Sequence, residues 1–371
     1  MAYGALLTFA ASLQLSIAAA QVLLALTALC WVAQLIRDRR GPAMLSFFIP
    51  LAAYAAATLL SAVFSLDPRA SLVDSRQLLL FAIVPIAYDL AARERATTVV
   101  TVVLTVGALS ASAGIVQYTL LHYDSLGRRP DGALSHYMTY AGTLMLVICA
   151  ATARLILSRR DRGWAAMVLP ALVAALVLTF TRSAWVGALA GLAVIFVLRD
   201  FRLAALLPVL VATVFALAPD RITDRMVSMF DLRDPSNRDR LAMMRSGVAI
   251  IKDHPLTGVG PNMIPRVYAQ YRDGDAVNES NPHLHNVALQ IAAERGLPAL
   301  ALWIWFVVAC AMGLFRVLRG AADRALAAAA LAGLAATLAA GLFEYNFGDS
   351  EFLMLLLLLL TLPFAAARET A

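Results

Sequence analysis

Residues 97–121 read TTVVTVVLTVGALSASAGIVQYTLL, a run without one charged side chain. A helix needs about 20 such residues to cross the hydrocarbon of a bilayer, so this stretch predicts a membrane span. The triplet RER at 93–95, just before it, marks the cytoplasmic end, because arginine collects on that side. Working outward from this span, further apolar runs lie at 4–14, 16–36, 43–65, 74–92, 134–157, 164–180, 184–199 and 202–218 on one side of a long polar interval. Beyond the interval come 298–318, 323–343 and 351–367. The sequence therefore predicts an all-α, polytopic membrane protein with about twelve spans. Ser12, Gln14 and Ser16 break the first two segments apart; without that break, 4–36 is a single helix.

Composition agrees. Of 371 residues, 61% are hydrophobic and 15% charged, with a mean hydropathy of +0.77. A soluble domain cannot hide that much apolar surface. The net charge of +6 rests almost wholly on arginine, Lys252 being the only lysine. In a membrane protein such a balance reflects topology and anionic lipid, not nucleic acid. Cys30, Cys149 and Cys310 all fall inside apolar runs, with neither metal spacing nor a pairing that suggests a disulfide. The N-terminus has no basic leader before its apolar run, so no cleavable signal peptide is expected.

Arginine placement orients the chain. Alternate connections read RDRR at 37–40, RER at 93–95, SRRDR at 158–162 and RDFR at 199–202, followed by Arg316, Arg319, Arg324 and Arg368. The opposite connections, 66–73, 122–133, 181–183 and 344–350, are poorer in arginine. The arginine-rich side is cytoplasmic, and the long interval at 219–297 then lies outside. Three regions follow: a bundle over 1–218, an outer helical loop over 219–297 and a second bundle over 298–371. Within the loop, a helix is expected from Asn237 to Lys252 with Leu241, Met244, Val248 and Ile251 on its apolar face. His254-Pro255 stops it, PLTGVGPN forms a turn-rich connector, and a short helix spans 262–271.

The interval ends in NPHLHNVALQIAAERGLP, 281–298. Asn281 is a candidate cap, Pro282 suits the first helical position, and Gly296 and Pro298 close the helix. Leu284, Val287, Ala288 and Ile291 share a face, which puts His285 in the first turn. There the positive helix end disfavours imidazolium and leaves a neutral ring able to accept a proton. Two arginines stand on the outer side, where topology disfavours them. Arg182, in LTFTRSAW, either snorkels to lipid phosphates or binds an anionic substrate group. Arg245, beside the apolar face of the 237–252 helix, is either a rim residue or an anion ligand. Arg69, Arg76, Arg128, Arg129 and Arg266 share that side.

No metal is expected, because His283 and His285 would lie on different faces of a helix. Asp273-Gly274-Asp275 resembles a divalent-ion pair of acids, but such triplets are common in loops. Gly258 and Gly260 lack the strand–turn–helix setting of a dinucleotide fingerprint and serve a tight turn instead. Glu344, Asp349 and Glu351, in FEYNFGDSE, either pair with an outer arginine, orient a histidine or cap the loop.

Taken together, the order TRSAW, arginine-bearing helix, HPLTGVGPN, HN and ERGLPAL resembles the O-antigen ligase/polymerase superfamily of bacterial membrane glycosyltransferases. The resemblance implies a GT-C-like, metal-independent inverting transferase without a cofactor. Its donor would be an undecaprenyl-diphosphate-linked glycan and its acceptor lipid A–core, at the periplasmic face of the inner membrane. It assigns His285 as the catalytic residue and Arg182 and Arg245 to the diphosphate. Arg128, His136, Asn286 and Glu344 are further candidates for substrate contact. O-antigen polymerase and protein O-oligosaccharyltransferase share the signature. A lipid-linked sugar transporter is the non-enzyme alternative, but it would favour inverted repeats, which this chain does not show.

Overall fold

The computed structural model describes residues 1–158, 162–320 and 324–368. Among them there is no β-strand; a single isolated bridge joins Ser125 and Arg128. All twelve expected apolar segments are helical. Six are long and apolar enough to cross a membrane: Ile17–Arg37, Pro68–Leu90, Glu94–Thr119, Tyr137–Leu157, Arg182–Arg199 and Val287–Gly320. The shorter ones are Ala2–Ser12, Phe48–Val63, Arg162–Leu178, Phe201–Leu217, Ala325–Ala340 and Ser350–Ala366. The first two runs are separate helices, and Ser16 caps the second by accepting from the Ala19 N–H.

Helices Tyr137–Leu157 and Ser350–Ala366 are buried along almost their whole length, and the leucines at 355–360 form the centre of the bundle. Lipid offers no hydrophobic drive between helices, so close backbone approach has to supply the packing. Gly187 and Gly191 provide it. A Cβ on Gly187 would lie 2.8 Å from the Ala336 carbonyl, and one on Gly191 would lie 3.0 Å from that of Ala332. The glycine-rich 182–199 helix thus beds directly on the alanine-rich 325–340 helix.

At one end of the bundle the buried Asp89 carboxylate accepts from Trp31, Arg40 and Arg368. This gathers the 37–40 connection and the 368 end onto one face, as the arginine pattern requires. Of the SRRDR run, 159–161 lie outside the described residues, as does position 323 of the eleventh segment.

The polar interval builds a cap at the other end, from helices Asp220–Val227, Pro235–Asp253 and Ile264–Tyr271. The expected apolar face of the main cap helix is not the one that packs. Leu241, Met244 and Val248 are exposed and only Ile251 of that face packs against the cap core, while Asp239, Ala242, Met243, Ser246, Gly247 and Ile250 are buried. Side-chain size explains the difference. A Cβ on Gly247 would come within 2.7 Å of Leu289, so only a small-residue stripe lets this helix lie against the 284–289 segment. A separate cap core of Met243, Ile250, Ile264, Val267, Tyr268 and Leu284 forms beneath it.

The connector 255–260 ties cap to bundle. Val259 N–H donates to Ala293 (3.0 Å), Gly260 N–H to Glu294 (2.8 Å) and Leu297 N–H to Pro255 (2.8 Å). Ser61 Oγ donates to the Thr257 and Glu294 carbonyls. Gly258, at φ +66°, meets the Glu294 carbonyl carbon so closely that a Cβ would be 2.3 Å away. The glycines therefore serve the backbone, as their spacing suggests. Gly296 breaks the following helix at φ 82°, ψ 168°, so Val287–Gly320 is a cap segment joined to a membrane segment at a fixed bend.

Candidate active site

Arg182 is the first residue of its helix, reached through Phe180 in the left-handed region at φ 55°. The guanidinium is buried and spans the start of the cap. It donates to the Ser228 carbonyl and hydroxyl (3.0 Å each), Asp234 (3.3 Å) and Asn237 (2.9 Å). Asp234 also caps the main cap helix, accepting from the Ser236 and Asn237 N–H groups. Arg182 therefore locks that helix end to the membrane boundary rather than snorkelling.

The segment carrying His285 departs from its expected form. The helix begins at Val287, not at Pro282. Asn286 is the cap: its side chain accepts from Leu289 N–H (2.9 Å) and its carbonyl from Gln290 N–H (2.9 Å). Asn281 turns away toward Asp239, and Gln290 Oε1 takes the Leu284 N–H instead. His285 thus precedes the helix and holds φ at 49°, a left-handed conformation that costs energy in a non-glycine residue and is common at functional sites.

Glu344 holds its ring. Glu344 Oε2 lies 2.9 Å from His285 Nδ1, and Oε1 lies 3.5 Å from His283 Nε2. Two backbone ties place the carboxylate: Val287 N–H donates to the Gly341 carbonyl (2.8 Å), and Asn286 Nδ2 donates to that of Leu342 (3.1 Å). Burial pushes the Glu344 carboxyl up, but the His285 contact, His283 and Arg240 outweigh it and hold the group down at about 2. Burial pulls His283 down to about 4, so at neutral pH His285 and Arg240 remain as the main partners of the carboxylate. An ionised carboxylate only accepts, so neutral His285 carries its proton on Nδ1 and leaves Nε2 with a free lone pair. The carboxylate, not a helix N-terminus, orients this imidazole.

His285 borders a cavity of about 400 Å³ between the cap and the bundle. Four arginines, Arg129, Arg182, Arg225 and Arg240, and two aspartates, Asp234 and Asp239, line it. Asp239 is already committed, accepting from the Val277 and Asn278 N–H groups and from Asn278 Nδ2. Arg225 meets Asp234 only at 3.6 Å, and its buried Nε has no partner. Burial, then Arg182 and Arg129, bring its guanidinium down to about 10, still charged at neutral pH. Burial also lowers Arg240, against the pull of Glu344. Among the described residues no carboxylate pairs with Arg240 within 4.0 Å. The wall is positive and has unspent hydrogen-bond donors.

Two of the expected residues meet here and others do not. Arg182 and His285 border the same cavity, and Glu344 is one residue behind it. Arg245 is on the opposite face of the cap helix, exposed, paired with Asp275 (2.8 Å) and Asp273 (3.3 Å). The DGD triplet is thus an arginine partner. Arg128 lies over the Tyr123 ring at 4.1 Å and is exposed, while its neighbour Arg129 covers Tyr137 at 4.3 Å and reaches the cavity. His136 caps helix Tyr137–Leu157, accepting from Met138 N–H at 3.3 Å. Asn286 serves as a cap.

Arg129 stood among the weaker outer-side candidates of the sequence and does reach the cavity, whereas Arg225 and Arg240 were not singled out, and one signal marked Arg240. The stripe Arg240, Met243, Gly247, Ile250 follows helical spacing as well as the leucine-rich stripe does. The ground for excluding a metal also fails: His283 and His285 are not on a helix, and their ring centroids are 4.1 Å apart.

No curated protein matches this chain. Residues 165–304 match the family model described as O-antigen ligase, a segment that holds Arg182, the whole cap and His285. This match covers 140 of the 371 residues and shows that this segment is similar to the O-antigen ligase family.

Proposed function

We propose that the protein is an O-antigen ligase of the inner membrane. It would transfer a glycan from undecaprenyl diphosphate to a hydroxyl of lipid A–core on the periplasmic side. All twelve apolar helices would cross the bilayer in a GT-C-like arrangement, with the cap over 219–297 outside. The reading is carried by one observation: a carboxylate-held imidazole opens onto a cavity walled by four arginines.

In this mechanism His285 Nε2 takes the proton of the acceptor hydroxyl as its oxygen attacks the anomeric carbon from the face opposite the diphosphate. The new carbon–oxygen bond forms as the bond to the diphosphate breaks, and the leaving group departs with one more negative charge. The diester begins with about two negative charges, matching the excess of arginine over aspartate in the wall. Arg240 and Arg225 have donors to spare for the charge that develops, and Arg129 adds a third guanidinium. Arg182 contributes its charge and fixes the wall through Asp234. Arg245 has no part in this scheme. No metal or cofactor is required.

Deleting the gene and profiling lipopolysaccharide with lipid-linked glycans tests the activity. Bare core with long undecaprenyl-linked chains is expected; core carrying one repeat would make the protein a polymerase instead. His285→Ala should lower transfer by about 10²–10⁴ in kcat, with the protein still inserted and still binding the lipid diphosphate. Full activity in that variant would overturn the base assignment.

A further inference from the structure

We propose that His283, His285 and Glu344 form a zinc site which, when filled, switches off glycan transfer. The inference rests on the base assignment above and adds a ligand that this assignment does not need. Donor atoms from the three side chains lie within 4.8 Å of one another. The individual separations are 2.9 Å for His285 Nδ1 to Glu344 Oε2 and 3.5 Å for His283 Nε2 to Glu344 Oε1. Tetrahedral zinc holds nitrogen and oxygen ligands at about 2.0–2.2 Å, which sets them roughly 3.4 Å apart, so small side-chain shifts suffice.

The backbone builds this cluster. With φ at 49°, His285 brings its ring back beside that of His283, two residues earlier, which an extended or helical backbone would not do. The side chains are 26%, 17% and 11% exposed for His283, His285 and Glu344, so an ion can reach them from outside. Two imidazoles and one carboxylate suit zinc and not calcium or magnesium, which prefer oxygen. Arg240, whose charge acts on Glu344, opposes any cation here and further disfavours an ion that gains nothing from imidazole.

The switch follows from tautomers. In the metal-free protein Nδ1 of neutral His285 donates to Glu344, and Nε2 is the acceptor. Zinc bonded to Nδ1 requires the lone pair there, so the ring proton moves to Nε2. The base atom becomes a donor and can no longer take the proton of a hydroxyl. His283 makes the mirror change: its Nδ1 now accepts from the His285 N–H at 3.3 Å, and that long bond is given up when Nε2 binds the ion. The sum is three coordinate bonds formed, the His285–Glu344 hydrogen bond and one to the backbone lost, the 3.5 Å contact of His283 with Glu344 replaced, and no net proton exchanged.

Full-length protein in nanodiscs, stripped with EDTA, should bind one zinc per chain by calorimetry, with calcium and magnesium silent at the same concentration. Transfer should fall about tenfold or more at saturating zinc and return with EDTA. His283→Ala and His283→Gln should keep metal-free activity and bind zinc about 10–100-fold more weakly, with inhibition shifted in parallel. No zinc binding, or unchanged binding and inhibition in both His283 variants, would overturn the switch. Because calorimetry does not read transfer, these results separate from the base assignment, which stands or falls with His285→Ala. Loss of transfer on EDTA treatment would overturn the switch and the metal-free mechanism together.

Discussion

The two faces of the Pro235–Asp253 helix carry arginine in opposite circumstances. On the inner face Arg240 borders the cavity beside Arg182 and Arg225, half-buried and, among the described residues, without a carboxylate partner. On the outer face Arg245 is 59% exposed and bonded to two aspartates. An arginine that is paired and wet has little free energy left to give a ligand. One that is drawn out of water and left with unpaired donors favours any anion that replaces its lost solvation. The proposed function assigns weight by this difference and not by position along the chain.

The comparison breaks first, and most visibly, at Arg240. Arg240→Ala should cost about 10²–10³ in kcat, with weaker donor binding, measured as transfer from a lipid diphosphate in nanodiscs. Arg240→Lys should recover only part, since an ammonium cannot make the two parallel bonds of a guanidinium. Next is the packing that presents this face. Gly247→Val would push on Leu284 and Leu289 and should destabilise the cap by roughly 1–3 kcal/mol, seen as a lower melting temperature. A third test leaves the helix and uses Asp349, which is half-buried just before the last span and accepts from Thr139. Burial and the neighbouring Glu351 raise its carboxyl from 3.8 to about 8. The folded state therefore binds the extra proton, and its contribution to stability is present at pH 4 and fades as pH rises through 8. Asp349→Asn should flatten that slope in melting curves taken between pH 5 and 9; an unchanged slope would refute the assignment. The smallest effect belongs to Arg245→Ala, expected to change transfer by less than about threefold, because an exposed ion pair is worth under about 1 kcal/mol. A large loss there would place the outer face in the reaction after all.

Much of the fold was legible, because a membrane makes apolar length and arginine bias decisive. Every apolar run was a helix, and the break at Gly296 fell where glycine and proline put it. The cap was less legible for a physical reason. Outside the bilayer, large apolar residues can remain exposed while a small-residue stripe is buried, so the search for a leucine face chose Leu241 and Val248 and, with them, Arg245. The same bias hid Arg240. His285 does border the cavity, but its setting was not legible, since Asn281 and Asn286 are equally good caps by type. Only the prior engagement of Asn281 with Asp239 decides between them. Glu344 stood among three outer acids, and nothing in the chain alone says which of them reaches back past two helices.

That reach has a consequence for biosynthesis. His285 precedes the 297–320 segment, and its orienting carboxylate follows helix Ala325–Ala340. A ribosome therefore delivers the histidine first, and the chain must fold out and back before its partner arrives. Until that hairpin closes, the carboxylate that fixes the imidazole tautomer in the proposed mechanism is missing, although all four arginines of the wall have already been made. In the proposed mechanism catalytic competence thus reports on the completed insertion of this late hairpin, and a chain stopped before Glu344 would lack both this carboxylate and the Ser350–Ala366 helix at the centre of the bundle.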